Sequence, residues 1–114
     1  MQIRDVAKIL DAKVICCEEL LDTEVHSACG ADLMSDVLAF VKEQSALLTG
    51  LLNPQVVRTA DMMDMRCIIF VRGKEPDAQT IELAKNREIV LLCTNHRMYP
   101  ACGLLYSSGL VPNK

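Results

Sequence analysis

Tryptophan is absent, and two Tyr and two Phe are the only aromatic residues in 114. Hydrophobic residues nevertheless make up 51% of the chain. The core must therefore be aliphatic, built from Val, Ile, Leu, Met and Ala. No apolar run approaches the roughly 20 residues needed to cross a bilayer; the longest are strand length. The start, Met1-Gln-Ile-Arg-Asp-Val6, has neither an apolar h-region nor a cleavage site, so no secretory signal is expected and the cytoplasm is the expected compartment. Neither sign of charge forms a block: 12 basic and 15 acidic residues give a formal net charge of -3. That balance excludes a nucleic-acid or anionic-membrane surface as the main function, since both need concentrated Lys and Arg.

Six cysteines stand at 16, 17, 29, 67, 93 and 102, but Cys-x-x-Cys is missing. Zinc and iron–sulfur sites draw two ligands from such a tight knuckle, so an iron–sulfur cluster or metal site is not expected and no cofactor is assigned. Cys67 and Cys93 border runs of Ile, Val or Leu, where a thiol behaves as a small buried hydrophobe. The Walker Gly-x-x-x-x-Gly-Lys-Ser/Thr, the dinucleotide Gly-x-Gly-x-x-Gly, the Gly-x-Ser-x-Gly elbow and His-Glu-x-x-His are all absent. His26 and His96 are too far apart to read as a metal pair. Asp32 with Asp36, and Asp61 with Asp64, read as solvated helix faces. An enzyme is the minority reading.

What is there reads as one α/β domain over residues 1–114. Val6, Ile9 and Leu10 make a short amphipathic helix from Asp5, with Asp5 as cap. Val14 to Cys17 is a first strand, and Glu24 to Cys29, ended by Gly30, a second half-exposed one. A helix spans Asp32 to Lys42, with Leu33, Val37, Leu38 and Val41 as its apolar stripe and Asp32 or Ser35 as cap. The strand Ala46–Leu48 then meets Thr49-Gly50, and Asn53-Pro54 opens a helix, asparagine capping and proline at the first helical position. Val56, Val57, Ala60 and Met63 form its buried face, and Arg58 can pair with Asp61 at i, i+3. Cys67–Val71 and Glu88–Cys93 are continuously apolar strands, the kind covered on both faces. Between them a helix opens at Pro76-Asp77 and carries Ile81 and Ala84. A last helix runs from Met98 to Ser108, with Pro100 in its first turn.

Strand followed by helix, three times over, implies crossover units and a mostly parallel sheet, mixed by the less regular first half, with about five strands in all. Ligands of such sheets bind outside the strand C-termini. That rule collects Thr49, Gly50 and Asn53; Arg72, Gly73 and Lys74; and Thr94, His96 and Arg97, with Arg58 one turn into its helix. Two glycines, a cluster of basic side chains and up to three helix N-termini suit the phosphate or carboxylate of a small ligand.

Nearly the whole chain resembles the DRTGG domains. The resemblance is carried by Ile3-Arg-Asp-Val-Ala-Lys-Ile-Leu-Asp-Ala-Lys-Val-Ile15, Glu18-Glu-Leu-Leu-Asp-Thr-Glu-Val25, the Leu-Met-Ser-Asp-Val-Leu helix, the Leu-Leu-Thr-Gly turn, Cys67 to Val71, Gly73-Lys74-Glu75-Pro76 and Leu-Leu-Cys-Thr94. The string Asp-Arg-Thr-Gly-Gly is not found, so the chain reads as a stand-alone version lacking that signature. The resemblance implies a fold similar to the N-terminal domain of HPr kinase, three α/β/α layers on a mixed sheet. It also implies a regulatory or ligand-sensing module without catalysis of its own; the expectation for this chain is a homodimer that binds a phosphorylated or nucleotide-like small molecule at the three-turn edge. The alternative it raises is an interaction or assembly subunit for hydrogenase or iron–sulfur proteins of anaerobic bacteria, itself redox-active.

Overall fold

The computed structural model describes residues 1–40 and 44–111. Its order is α1 (Ile3–Ile9), β1 (Lys13–Cys16), a 3-10 turn (Glu18–Leu20), β2 (Ser27–Gly30), α2 (Met34–Phe40), β3 (Ser45–Thr49), α3 (Pro54–Met62), β4 (Cys67–Phe70), α4 (Ala78–Asn86), β5 (Val90–Cys93) and α5 (Met98–Ser107). The five strands form one mixed sheet in the order β1-β5-β4-β3-β2. The strands β2 to β5 are parallel, and β1 runs antiparallel against β5.

The centre of the sheet follows from the apolar runs. Every residue of β3, β4 and β5 is buried. Leu47, Ile68 and Leu91 lie in register across these strands, as do Leu48, Ile69 and Leu92. Each such aliphatic side chain gains about 1.5–3 kcal/mol on full burial, and layers of them hold the core without aromatic bulk; Phe70 is its one buried aromatic among the described residues. The steps from β2 through β5 all move the same way along the sheet, so right-handed crossovers place α2, α3 and α4 on one face. There α3 packs between α2 and α4, while α1 and α5 meet on the other face. The result is the expected three-layer α/β/α arrangement, with the antiparallel strand at the edge.

Local chemistry sets the helix starts. Asn53 is extended and accepts from Gln55 N at 3.1 Å, with Pro54 at the first helical position as the sequence predicts. Asp77 caps α4 by accepting from Thr80 N at 2.9 Å, and that bond holds its carboxyl below the usual range.

Several expectations need correction. Helix α1 starts at Ile3, and Asp5 acts from inside its first turn by accepting from Gln2 N. The second strand begins only at Ser27, because Glu24 makes just an isolated bridge with Gln2. Among the described residues of the stripe predicted for α2 only Val37 is buried: Leu33 precedes the helix and is 61% exposed, and Leu38 is 45% exposed. Val41 and Lys42 lie outside the described residues. Asp61 pairs not with Arg58 but with Arg66 at 3.3 Å and Arg87 at 3.1 Å. Those two arginines flank β4 and α4, so Asp61 ties α3 to its neighbours across the layer instead of along its own helix.

Candidate functional site

The parallel strands bring Thr49-Gly50, Arg72-Gly73 and Thr94-Asn95-His96 to the same edge of the sheet. Backbone hydrogen bonds then lace the turns together. Val71 N donates to Thr49 O at 3.1 Å, Arg72 N to His96 O at 2.8 Å, and Gly73 N to Thr94 O at 2.8 Å. Arg72 and Gly73 both have positive φ, at 67° and 70°, which turns their N–H groups toward the β5 turn. Only glycine takes this shape without strain, and a Cβ at Gly73 would also lie 2.8 Å from Asn95 Oδ1.

The sequence-predicted residues divide into two groups. Thr49 and Thr94 are buried and used internally. Thr94 Oγ1 donates to Leu10 O at 2.7 Å and accepts from His96 N at 3.3 Å. Thr49 Oγ1 donates to Asp32 at 3.1 Å and accepts from Leu51 N at 3.1 Å. Asn53 is engaged as the α3 cap. By contrast Arg58, Arg72, Lys74 and Arg97 are exposed, and among the described residues none of their side chains has an acidic partner. His96 is half-buried at the mouth of a surface groove of about 640 Å³ that runs along α5 past Tyr99, Gly103 and Tyr106.

Asp32 is the residue the sequence reading missed. It is neither a cap nor a member of a solvated helix face. Its Oδ1 accepts from Gly50 N at 2.7 Å and from Thr49 Oγ1, so a carboxylate of the chain itself occupies the anion position at the first turn. The Arg72 guanidinium lies across the same glycine, where a Cβ at Gly50 would overlap it. The alternation of strand and helix could have located Asp32 at the end of β2, but not the direction of its side chain.

A second feature missed is a polar cavity of about 200 Å³ lined by Asp11, Lys13, Gly73, Glu75, Cys93 and Asn95. It exists because β1 is antiparallel: Lys13, at the start of β1, pairs in register with Cys93 at the end of β5. Lys13 and Glu75 form an ion pair at 3.0 Å across it. The Cys93 thiol is pushed up to about 11 by burial first, with the nearby Glu75 charge adding to it, so it stays protonated at neutral pH. All six cysteines are free thiols, and among the described residues no three His, Cys, Asp or Glu side chains converge to hold a metal ion.

With this geometry in place, residues 5–107 match the model of the DRTGG domain family. The chain belongs to the DRTGG domain family. That match overturns the expectation that the family signature is lacking. No curated protein matches the chain. Among solved structures, the chain is similar to the CBS and DRTGG domains of the regulatory region of a pyrophosphatase from Clostridium perfringens, a structure described as complexed with its activator, diadenosine tetraphosphate. The identity is 20% and the TM-score 0.76, over 94% of this chain and 46% of that one. The chain thus spans about half the length of that structure, and the likeness is one of fold.

Proposed function

We propose that this chain is a regulatory, ligand-sensing module, without catalysis of its own, that binds a small anionic, nucleotide-like molecule at the C-terminal edge of the sheet. The observation that carries the reading is the laced edge itself, whose turns carry Arg72, Lys74 and Arg97, none of them paired with a carboxylate among the described residues. Cations left unpaired on turns this well fixed suit phosphate oxygens, which need charge at a set geometry. The solved relative, a regulatory region holding a dinucleotide activator, supports the same class of ligand. The module acts in the cytoplasm as a homodimer and passes its signal to a partner. The alternative, an assembly subunit for hydrogenase or iron–sulfur proteins, has no support in the family match or the solved relative.

Thermal unfolding with a panel of diadenosine tetraphosphate, ATP, ADP, AMP and inorganic phosphate tests the reading. A ligand at 100 times its dissociation constant adds about 2.7 kcal/mol. For a chain this short that raises Tm by about 11 °C. The paired change Arg72→Ala with Lys74→Ala should remove most of the shift and leave the unliganded Tm in place. No shift from any member at millimolar concentration, or a shift the double variant keeps, refutes the proposal.

A further inference from the structure

Helix α5 is unlike the other four. From Met98 to Val111 no residue is charged, whereas each of the other helices carries at least one charged residue. Its inner face is buried through Ala101 and Leu105. Its outer face should then be polar, as on any helix that meets water on one side. Instead Tyr99 is 90% exposed and Tyr106 59% exposed. They stand four residues before and three after Gly103, so all three share one face. A Cβ at Gly103 would meet nothing within 4 Å. The face therefore presents two rings flanking a gap, and these line the groove of about 640 Å³ that ends at His96.

We propose that the outer face of α5 is the surface on which a second copy of this chain docks, α5 against α5 about a twofold axis. The inference rests on the reading of the chain as a homodimer and adds the face. Two features of the surface select a copy of itself. It carries projection and gap together, so about a twofold axis one ring of each copy can enter the other copy's gap at Gly103. It carries no charge, so bringing like against like raises no repulsion and leaves no buried ion unpaired.

The area is also of the right order. An exposed tyrosine offers roughly 200 Å², so Tyr99 and Tyr106 present roughly 300 Å² per copy. Pro100, Leu104 and Ser107 line the same groove, and Val111, 45% exposed, follows the helix. The tyrosines of two copies alone account for roughly 600 Å², and with these neighbours the pair belongs to the weak, reversible class of interfaces, below about 1,200 Å². The expected dimer is a reversible one. Because His96 bounds the same groove and accepts from Arg72 N, the interface adjoins the laced edge.

Sedimentation velocity on the whole chain from about 1 to 300 μM tests this. The expected result is a concentration-dependent shift from monomer to dimer, moved at least tenfold toward higher concentration by Tyr99→Glu with Tyr106→Glu. Both positions are exposed, so the variant's Tm measured where the wild type is monomeric should be unchanged; Gly103→Arg provides a second disruption independent of the rings. A wild type that is monomeric throughout overturns the dimer and the face together, and assigns the face to a different protein. A dimer that persists unchanged in Y99E/Y106E and in G103R keeps the homodimer and overturns the face.

Discussion

Replacing Thr94 with valine separates a structural role from a ligand-binding one. The Thr94 side chain is buried at the end of β5, and its hydroxyl donates to the Leu10 carbonyl at 2.7 Å, joining the end of α1 to the centre of the sheet. Thr94→Val keeps the branched shape and removes the donor. The Leu10 carbonyl is then left buried without that partner, which costs about 1–3 kcal/mol. The second loss, from His96 N at 3.3 Å, is smaller, since that bond is long and only part-buried. A central value is about 2 kcal/mol. At ~2.1 cal/mol/K per residue, a 114-residue chain unfolds with an entropy of about 0.24 kcal/mol/K, so Tm should fall by about 8 °C. Thr94→Ser retains the donor and loses a methyl, for roughly half that fall. Calorimetry or circular dichroism gives the Tm, and repeating it with saturating ligand gives the ligand-induced shift, which T94V should preserve. A T94V that melts within about 2 °C of wild type would refute the hydrogen-bond argument. A T94V that melts low and also loses the ligand shift would move Thr94 from the scaffold into the binding surface.

Asp32→Ala should lower stability by about 1 kcal/mol, since its bonds to Gly50 N and Thr49 Oγ1 are only partly shielded from water. The same change removes a carboxylate from the anion position and should tighten phosphate binding by roughly fivefold, from a like charge worth about 1 kcal/mol at that range, measured by calorimetric titration. Gly73→Ala should cost about 1–2 kcal/mol from the positive φ and the approach to Asn95; Asn95→Ala should recover only the steric share, a cycle that urea melts can resolve. Burial raises the Cys67 thiol far above its ordinary value and Cys17 to about 12, so both stay protonated in the folded chain while the unfolded chain ionises above pH 9. Stability should therefore be intact below pH 9 and decline as pH rises toward 11, less steeply in Cys67→Ala, as followed by the urea midpoint.

The parallel core was legible because β3, β4 and β5 are short unbroken apolar runs between good caps, and no competing pattern fits them. Asn53-Pro54 and Asp77 were readable for the same reason: capping is local chemistry. The periphery was not. In α2 the positions of Leu33 and Leu38 fit a helical stripe, yet of these Leu33 precedes the helix and both are exposed, while Val37 is buried at the rim of the sheet. Sequence order placed the three turns at one edge, since parallel strands admit no other arrangement. It could not show that Thr49 and Thr94 turn inward, or that Asp32 reaches across to Gly50, because those are side-chain directions fixed by tertiary packing. The polar cavity of Lys13 and Glu75 depended on β1 running antiparallel, a choice that four residues of strand do not declare.

The lacing of the turns also bears on how a bound ligand could be felt elsewhere. Loop amides usually exchange with solvent deuterium within seconds, yet those of Arg72 and Gly73 are committed to carbonyls of the neighbouring turn and should exchange at the pace of the core, although the residues themselves are exposed. An edge already ordered in this way has little disorder left to surrender when a ligand arrives. A coil-to-order transition of these turns is therefore not the expected signal. For the proposed ligand and the proposed dimer, the message would leave as a rearranged charge around Gly50 or as an altered balance between one copy and two, and the backbone bond from Arg72 to His96, which bounds the α5 groove, would give the second route a physical course.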